Sequence, residues 1–585
     1  MKQDLKEYIA SLKPVGFPDG NALVREGREM ADRIPWNKSR FLRQTGFETW
    51  EQYCLDCHKK GKSVFQLLMG LSTLEEQLDA LQKIEAFYQR TGCEVRSVQA
   101  IPSSLVGLPA AYWENAPRPT SYTMKGEADW LAQTQAAAVD VCWEDWHLSS
   151  PNNLQQTIYA LQAGTSRLGS FAQYIWDFPG WSDEKNRFSD MCRSMGILAA
   201  KKEQGMTVST YPEDGVAGYF MDVCSMLGYV MLEHYIIEDL CGARMVLSYG
   251  GLLSEIVPRI AFGLACEKLY GSKDRMFVVD YNGSTNTAWN HDIEANYGIG
   301  AQEMLLEAAV NLHYDLAIAY KPVSITEAIR VPTLEELLHI TRCGLGAIEK
   351  AAEWEAIIDF SRFETVRDQL IDKGTIFYHN ILNALEQAGV NIRDPLEMIV
   401  TLKRFDPMKL ESELHPSVSE TGAFQVYVPT VLYKQTMQKK NDELAALLHK
   451  GYGGCMRGQK VVCVSADGHS YGLLLIRQLW RELDAEVIDG GVYMEPASAL
   501  DLADEEGAER IAISIHCGQC LDYAKQLIKL ARHRNKTYKI AMGGVLNAML
   551  PGYAEPVDVA DLIMELGILA SNDFEKQVDL FLRAK

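Results

Sequence analysis

Short apolar runs alternate with longer amphipathic stretches along most of this chain. The runs "SVFQLLMG" (63–70), "CEVRSVQAIP" (93–102), "AVDVCWE" (138–144), "SRLGSFAQYI" (166–175), "MTVSTYPE" (206–213), "ARMVLSYGG" (243–251), "RMFVVDYNGS" (275–284) and "LAIAYKP" (316–322) read as buried strands. Between them lie stretches such as "TLEEQLDALQKIEAFYQRTG", with apolar residues at helical spacing. Eight such strand-then-helix units in about 260 residues predict a TIM barrel of (β/α)8 type over residues 61–340. Residues 1–60 read as a helical arm with no core of their own. Residues 341–450 turn helical and charged, and "KGYGGCMRGQ" (450–459) reads as a linker rich in glycine. A second alternation, "KVVCVSA", "DAEVIDGG", "RIAISIH" and "TYKIAMGG", predicts a flavodoxin-like doubly wound sheet over residues 456–585.

Composition narrows the classes. At 585 residues the chain is too long for one core, and with 47% hydrophobic residues, 11 Trp and 26 Tyr it is not a disordered one. A formal charge of −21 argues against nucleic acid or an anionic membrane surface as partner. No apolar run is long enough to span a bilayer. The opening "MKQDLKEYIASLKPVGFP" is charged and helical, unlike a signal peptide, and the 13 scattered cysteines fit reduced thiols, so a cytoplasmic location is expected.

The second alternation carries the most specific chemistry. Strand Val461–Val464 opens into "VSADGHSYG" (464–472), which spells D-x-H-x-x-G with Asp467, His469 and Gly472. Ser514 ends the strand "RIAIS", and Gly543 and Gly544 end "YKIAM". A histidine with a carboxylate two residues away is a ring nitrogen held in one orientation, for proton transfer or for a metal. Loops at the carboxyl ends of such strands are where open α/β sheets bind ligands.

These elements at these intervals resemble the signature of the cobalamin-binding domain of B12-dependent mutases and methyltransferases. The resemblance implies His469 as the lower axial ligand of cobalt in a base-off, His-on cofactor, with Asp467 behind it. It implies Gly472, Ser514, Gly543 and Gly544 along a buried nucleotide tail. His516 stands where the family usually has leucine. In the barrel, "KPVSITEAIRVPTLEE" (321–336), "GARMVLSYGGLLSEIVPRIAFGLACEKL" and "VYVPTVLYKQTMQKKNDELAALL" resemble parts of the glutamate mutase catalytic subunit. The chain thus looks like a glutamate-mutase-type enzyme with both subunits fused. That resemblance implies adenosylcobalamin as cofactor, a radical 1,2-rearrangement of a small carboxylic or amino acid, Glu327 as a contact of the adenosyl ribose with Lys321 as its neighbour, and a homo-oligomer.

The family's substrate-gripping arginines are not evident at these strand ends. Strand three ends in Glu144 and Asp145, strand five in Glu213 and Asp214, and of the arginines Arg167 and Arg330 are placed to meet a carboxylate. Tyr211, Tyr249 and Tyr281 end strands and are candidates to line the cavity. Glutamate itself is therefore not the expected substrate. "CLDCH" (54–58) matches a haem-attachment pattern, but inside a charged helical stretch without a signal peptide haem is not expected; "CGQC" (517–520) is a C-x-x-C pair that reads better as two small buried thiols. The alternatives are a corrinoid-dependent methyltransferase and a cobalamin-binding sensor.

Overall fold

A computed structural model describes the chain except for residues 1, 116–120, 179–180, 284–290, 323–324, 327–329, 331, 468–469, 493, 517, 535, 549, 551–552, 554–555 and 584–585. It divides into two compact units, Met1–Thr430 and Val431–Lys585.

The first unit is built on eight parallel strands: β1 (Val64–Met69), β2 (Glu94–Ala100), β3 (Asp140–Cys142), β4 (Arg167–Leu168), β5 (Thr207–Thr210), β6 (Met245–Tyr249), β7 (Val278–Asn282) and β8 (Ala319–Lys321). Their order, β3-β2-β1-β8-β7-β6-β5-β4, is that of the predicted barrel. A single parallel bridge between Trp143 and Leu168 closes the seam, helped by the Gly169 N–H donating to the Trp143 carbonyl at 2.9 Å. β4 is far shorter than the run 166–175 predicted. The chain turns after Leu168, and Ala172–Ile175 forms one helical turn.

Local signals set the helices. In Leu74–Thr91 the Thr73 side chain accepts from the Glu76 N–H and the Glu76 carboxylate accepts from the Thr73 N–H, a reciprocal cap at the start. Gly92, at a φ of 70°, ends the same helix in a conformation that other residues adopt at a cost. The arm of residues 1–60 is folded onto the barrel. Phe41, Leu42, Trp50, Tyr53, Cys54 and Cys57 pack with Val64, Val246, Met276, Val279 and Ala319. Cys54 and Cys57 lie three apart on the helix Trp50–Lys59 and point into that cluster, which explains "CLDCH" without haem. Helix Gly20–Ala31 crosses helix Glu184–Ala200 so closely that a Cβ on Gly27 would overlap the Arg193 carbonyl, and one on Gly196 the Val24 carbonyl.

The second unit begins with one helix, Val431–His449, packed on helix Ser470–Glu482 through Lys440 and Glu482, 3.1 Å apart. Its sheet contains β9 (Lys460–Ser465), β10 (Glu486–Gly491), β11 (Arg510–Ile515), β12 (Lys539–Gly544) and the edge strand Leu569–Ala570. The order β10-β9-β11-β12-edge is the doubly wound one, so the crossover direction reverses between β9 and β11. Alternate residues feed cores on the two faces: Val462, Val464, Ile511 and Ile513 on one, Val461, Cys463 and Ala512 on the other. Among the described residues no helix is long and apolar enough to cross a membrane.

Candidate functional sites in the barrel and in the second sheet

The barrel interior is polar, although TIM-barrel interiors are usually filled by branched aliphatic residues. Gln66, Ser97, Gln99, Asp140, Glu144, Arg167, Ser209, Ser248, Asp280 and Lys321 are all buried. Two cations, each ion-paired, organise them. Arg167 Nε lies 2.9 Å from Glu144 Oε1, and its Nη2 lies 3.0 Å from both Asp140 Oδ2 and Ser97 Oγ. Lys321 Nζ lies 2.9 Å from Asp280 Oδ1 and donates to Gln99 Oε1 at 2.8 Å and Ser248 Oγ at 3.0 Å. Burial raises the Glu144 carboxyl, but the charges of Arg167 and Lys321 outweigh it and hold the group below the usual carboxylate range. For Asp280 burial wins over Lys321, and the pKa is raised.

Above these pairs, at the carboxyl ends of the strands, is a cavity of about 220 Å³. Its walls include Glu144, Asp145, Glu213, Asp214, Gln173, Tyr211, Asn282 and Lys321. Gln173 Nε2 donates to Asp145 Oδ1 at 2.5 Å and to Asp214 Oδ2 at 3.0 Å. Glu213 accepts from the backbone N–H groups of Gly250, Leu252 and Leu253 at 2.6–3.1 Å. The Tyr211 hydroxyl accepts from the Gly251 N–H at 2.9 Å and from Asn282 Nδ2 at 3.0 Å.

Of the residues singled out in the sequence, Glu144, Asp145, Tyr211, Glu213, Asp214 and Lys321 meet at this cavity. Arg167 lies beneath it, wholly buried and turned to Glu144 and Asp140. Arg330 is outside it, paired through both terminal nitrogens with Glu336 at 2.7 and 2.9 Å. Tyr249 and Tyr281 point outward into the helical layer, Tyr249 against Gly263 and Phe262 and Tyr281 to Asn311 Oδ1 at 2.9 Å. Glu327 lies outside the described residues. Gln173, Asp280, Ser209 and Ser248 were missed. For Ser209, Ser248 and Asp280 the signal was a polar residue inside an otherwise apolar strand, at a position the pleat turns inward; Gln173 stands on the helical turn after β4 and had no such signal.

In the second unit the carboxyl ends of β9, β11 and β12 carry small residues side by side. Ser514 is in register with Ser465 on one side and Gly543 on the other, and Ile515 with Gly544. Gly472, in the first turn of helix Ser470–Glu482, lies over this row, where a Cβ would overlap Ser514 Oγ. Buried Asp467 accepts the His516 N–H at 2.5 Å and ties the ends of β9 and β11 together at the reversal point. Gly544, at a φ of 116°, is bracketed by Asn572, whose Oδ1 accepts its N–H at 2.6 Å and whose Nδ2 donates to its carbonyl at 2.9 Å.

Residues 460–568 match the B12 binding domain family. The second unit thus carries a B12-binding domain, which indicates a cobalamin-dependent function. A comparison with curated proteins finds no match.

The B12-binding domain fits its cofactor on structural grounds. Ser465, Gly472, Ser514, Gly543 and Gly544 put only small side chains along the strand ends, which suits a cofactor tail that passes close to the backbone. His516 enters the same crevice: its ring carbon Cε1 lies 3.0 Å from where a Gly472 Cβ would stand and 3.1 Å from that of Gly544. His469 and Cys517 lie outside the described residues. Cys520 is buried at the start of helix Cys520–His533, with its thiol 3.2 Å from the Asn547 carbonyl.

Proposed function

We propose that the protein is an adenosylcobalamin-dependent carbon-skeleton mutase, an isomerase that rearranges a small carboxylic or amino acid in the barrel cavity. The observation that carries the reading is the makeup of the second unit. Among its described residues one helix, Val431–His449, precedes the cobalamin sheet, whereas a corrinoid methyl carrier has a helical cap ahead of that sheet. The helices between residues 334 and 421 belong to the barrel unit, where Ser361–Gln387 packs on Val223–His234. The resemblance of "KPVSITEAIRVPTLEE" to glutamate mutase points the same way.

When bound, adenosylcobalamin supplies a carbon radical through cleavage of its cobalt–carbon bond. The chain supplies the rest. His469 is the proposed cobalt ligand, and Asp467 is the carboxylate that fixes the loop it stands on. Lys321, held by Asp280 and Gln99, and Glu144, held by Arg167, are prepositioned at the cavity and need not reorganise when substrate enters. Glu327 is proposed to meet the adenosyl ribose. A barrel lumen suits such chemistry because it can exclude water from reactive carbon centres.

Anaerobic reconstitution with adenosylcobalamin tests this. Nitrogen superhyperfine splitting in the Co(II) EPR spectrum, lost in His469→Gly, is the expected result, together with a cobalt–radical signal when a substrate is added. Cofactor bound with its own base on cobalt would remove the mutase reading. Methyl transfer from methylcobalamin with no response to adenosylcobalamin would point to the methyltransferase.

A further inference from the structure

Four carboxylates, Glu144, Asp145, Glu213 and Asp214, line the barrel cavity, against one cationic side chain among the described residues, Lys321. Each of these charges has protein partners. Lys321 is turned to Asp280, Glu144 to Arg167, and Glu213 to three backbone N–H groups. Asp145 and Asp214 share the two hydrogens of one neutral amide, that of Gln173.

A second observation points to a ligand in the same place. Gln173 Oε1 and Ser209 Oγ have no hydrogen-bond partner among the described residues, although both side chains are 1% exposed and both residues line the cavity. A buried polar atom without a partner is costly, so a group that satisfies it on binding gains that cost back as affinity. Gln173 Oε1 accepts only, so the ligand must donate to it.

Three ligand classes can be compared. A metal ion is disfavoured, because no group of three His, Cys, Asp or Glu among the described residues is arranged to hold one. A dicarboxylate is disfavoured, because the Arg167 guanidinium is taken up by Glu144 and Asp140 beneath the cavity and that of Arg330 by Glu336 outside it. An ammonium group has three donors and no acceptor, which matches Asp145, Asp214 and Gln173 Oε1. Burial raises the Asp145 carboxyl, and a cation beside it would relieve that penalty.

We infer that the cavity takes a small amine carrying no more than one carboxylate, with its ammonium group seated among Asp145, Asp214 and the Gln173 carbonyl. Calling this amine the substrate rests on the proposed mutase function; its binding does not.

The test is calorimetric titration of the full chain, without cobalamin, using ornithine, 1,5-diaminopentane and glutarate as probes. At least one of the two amines should bind and glutarate should not. Asp145→Asn and Asp214→Asn should each weaken amine binding about tenfold or more, as loss of a charge-assisted hydrogen bond does. Binding of glutarate, absence of binding by both amines, or amine affinity unchanged in both variants would overturn the inference. The wild-type comparison decides it even where a variant fails to fold. Amine binding with no cobalt–radical signal would fault the mutase reading alone, whereas His-on cobalamin with no amine binding would fault this inference alone.

Discussion

Arg167 and Glu144 form an ion pair across the seam of the barrel, with Nε and Oε1 2.9 Å apart and both side chains at most 2% exposed. Arg167 belongs to β4 and Glu144 stands two residues beyond β3, the two strands that one bridge brings together. Removing one partner strands the other charge in a low-dielectric interior. Arg167→Met should therefore cost about 3–5 kcal/mol, and Glu144→Gln in the same background should cost much less than it does alone. Urea denaturation of the four proteins in this cycle measures the coupling. Strictly additive losses would show that the pair does not hold the seam.

Trp50 lies on the other side of the same guanidinium, with the Arg167 carbon 3.7 Å from the ring centroid. The indole N–H has no hydrogen-bond partner among the described residues, so the ring acts by packing and by its π face. Trp50→Ala should destabilise by about 3–5 kcal/mol, and Trp50→Phe should recover a large part of that. Thermal unfolding compares them; equal losses would mean that the aromatic face contributes nothing.

Glu233, on helix Val223–His234, is buried with one hydrogen-bond donor, the Thr210 hydroxyl at 2.7 Å. Burial pushes its pKa up to about 8, from an ordinary value of 4.5. The folded protein therefore holds a proton that the unfolded chain releases above pH 4.5. Its contribution is complete below that pH and is lost as pH rises toward 8. Glu233→Gln should flatten the fall in stability across this window by up to about 1.4 kcal/mol per pH unit. Chemical denaturation from pH 5 to 8 reads it, and an unchanged slope would exclude Glu233 as a source.

Gly472→Ala should weaken cobalamin binding by about tenfold or more, because the added methyl group overlaps Ser514 Oγ in a row with no spare room. Ser514→Gly in the same chain removes the overlapping atom and should restore part of the affinity. Spectrophotometric titration with cobalamin measures both. A Gly472→Ala protein that binds as the parent does would mean that the cofactor passes elsewhere.

Much of the architecture was legible in the sequence. The eight apolar runs and the four later ones correspond to β1–β12, since a buried strand is a local pattern a few residues long. β4 is the exception, because only the seam geometry decides where a strand with two residues of pairing stops. The row of small residues at the ends of β9, β11 and β12 was legible too, since each sits at a strand end and parallel register brings strand ends together. His516 was visible as a departure. Its ring's place between Gly472 and Gly544 follows only from the fold.

What the chain determined by itself was local: periodicity, caps, glycines at strand ends, and the D-x-H-x-x-G loop. What the tertiary structure decided was pairing. Lys321 meets Gln99, 222 residues away, and Arg167 meets Ser97, 70 residues away. Neither can be read from spacing, because closing the barrel chooses which inward positions share a level. The same closure turned Arg167 from a candidate substrate contact into the support of Glu144, and sent Tyr249 and Tyr281 outward while Tyr211 stayed at the cavity. A charged side chain in a water-poor interior must find its counter-charge nearby, and only the assembled barrel determines which groups are near.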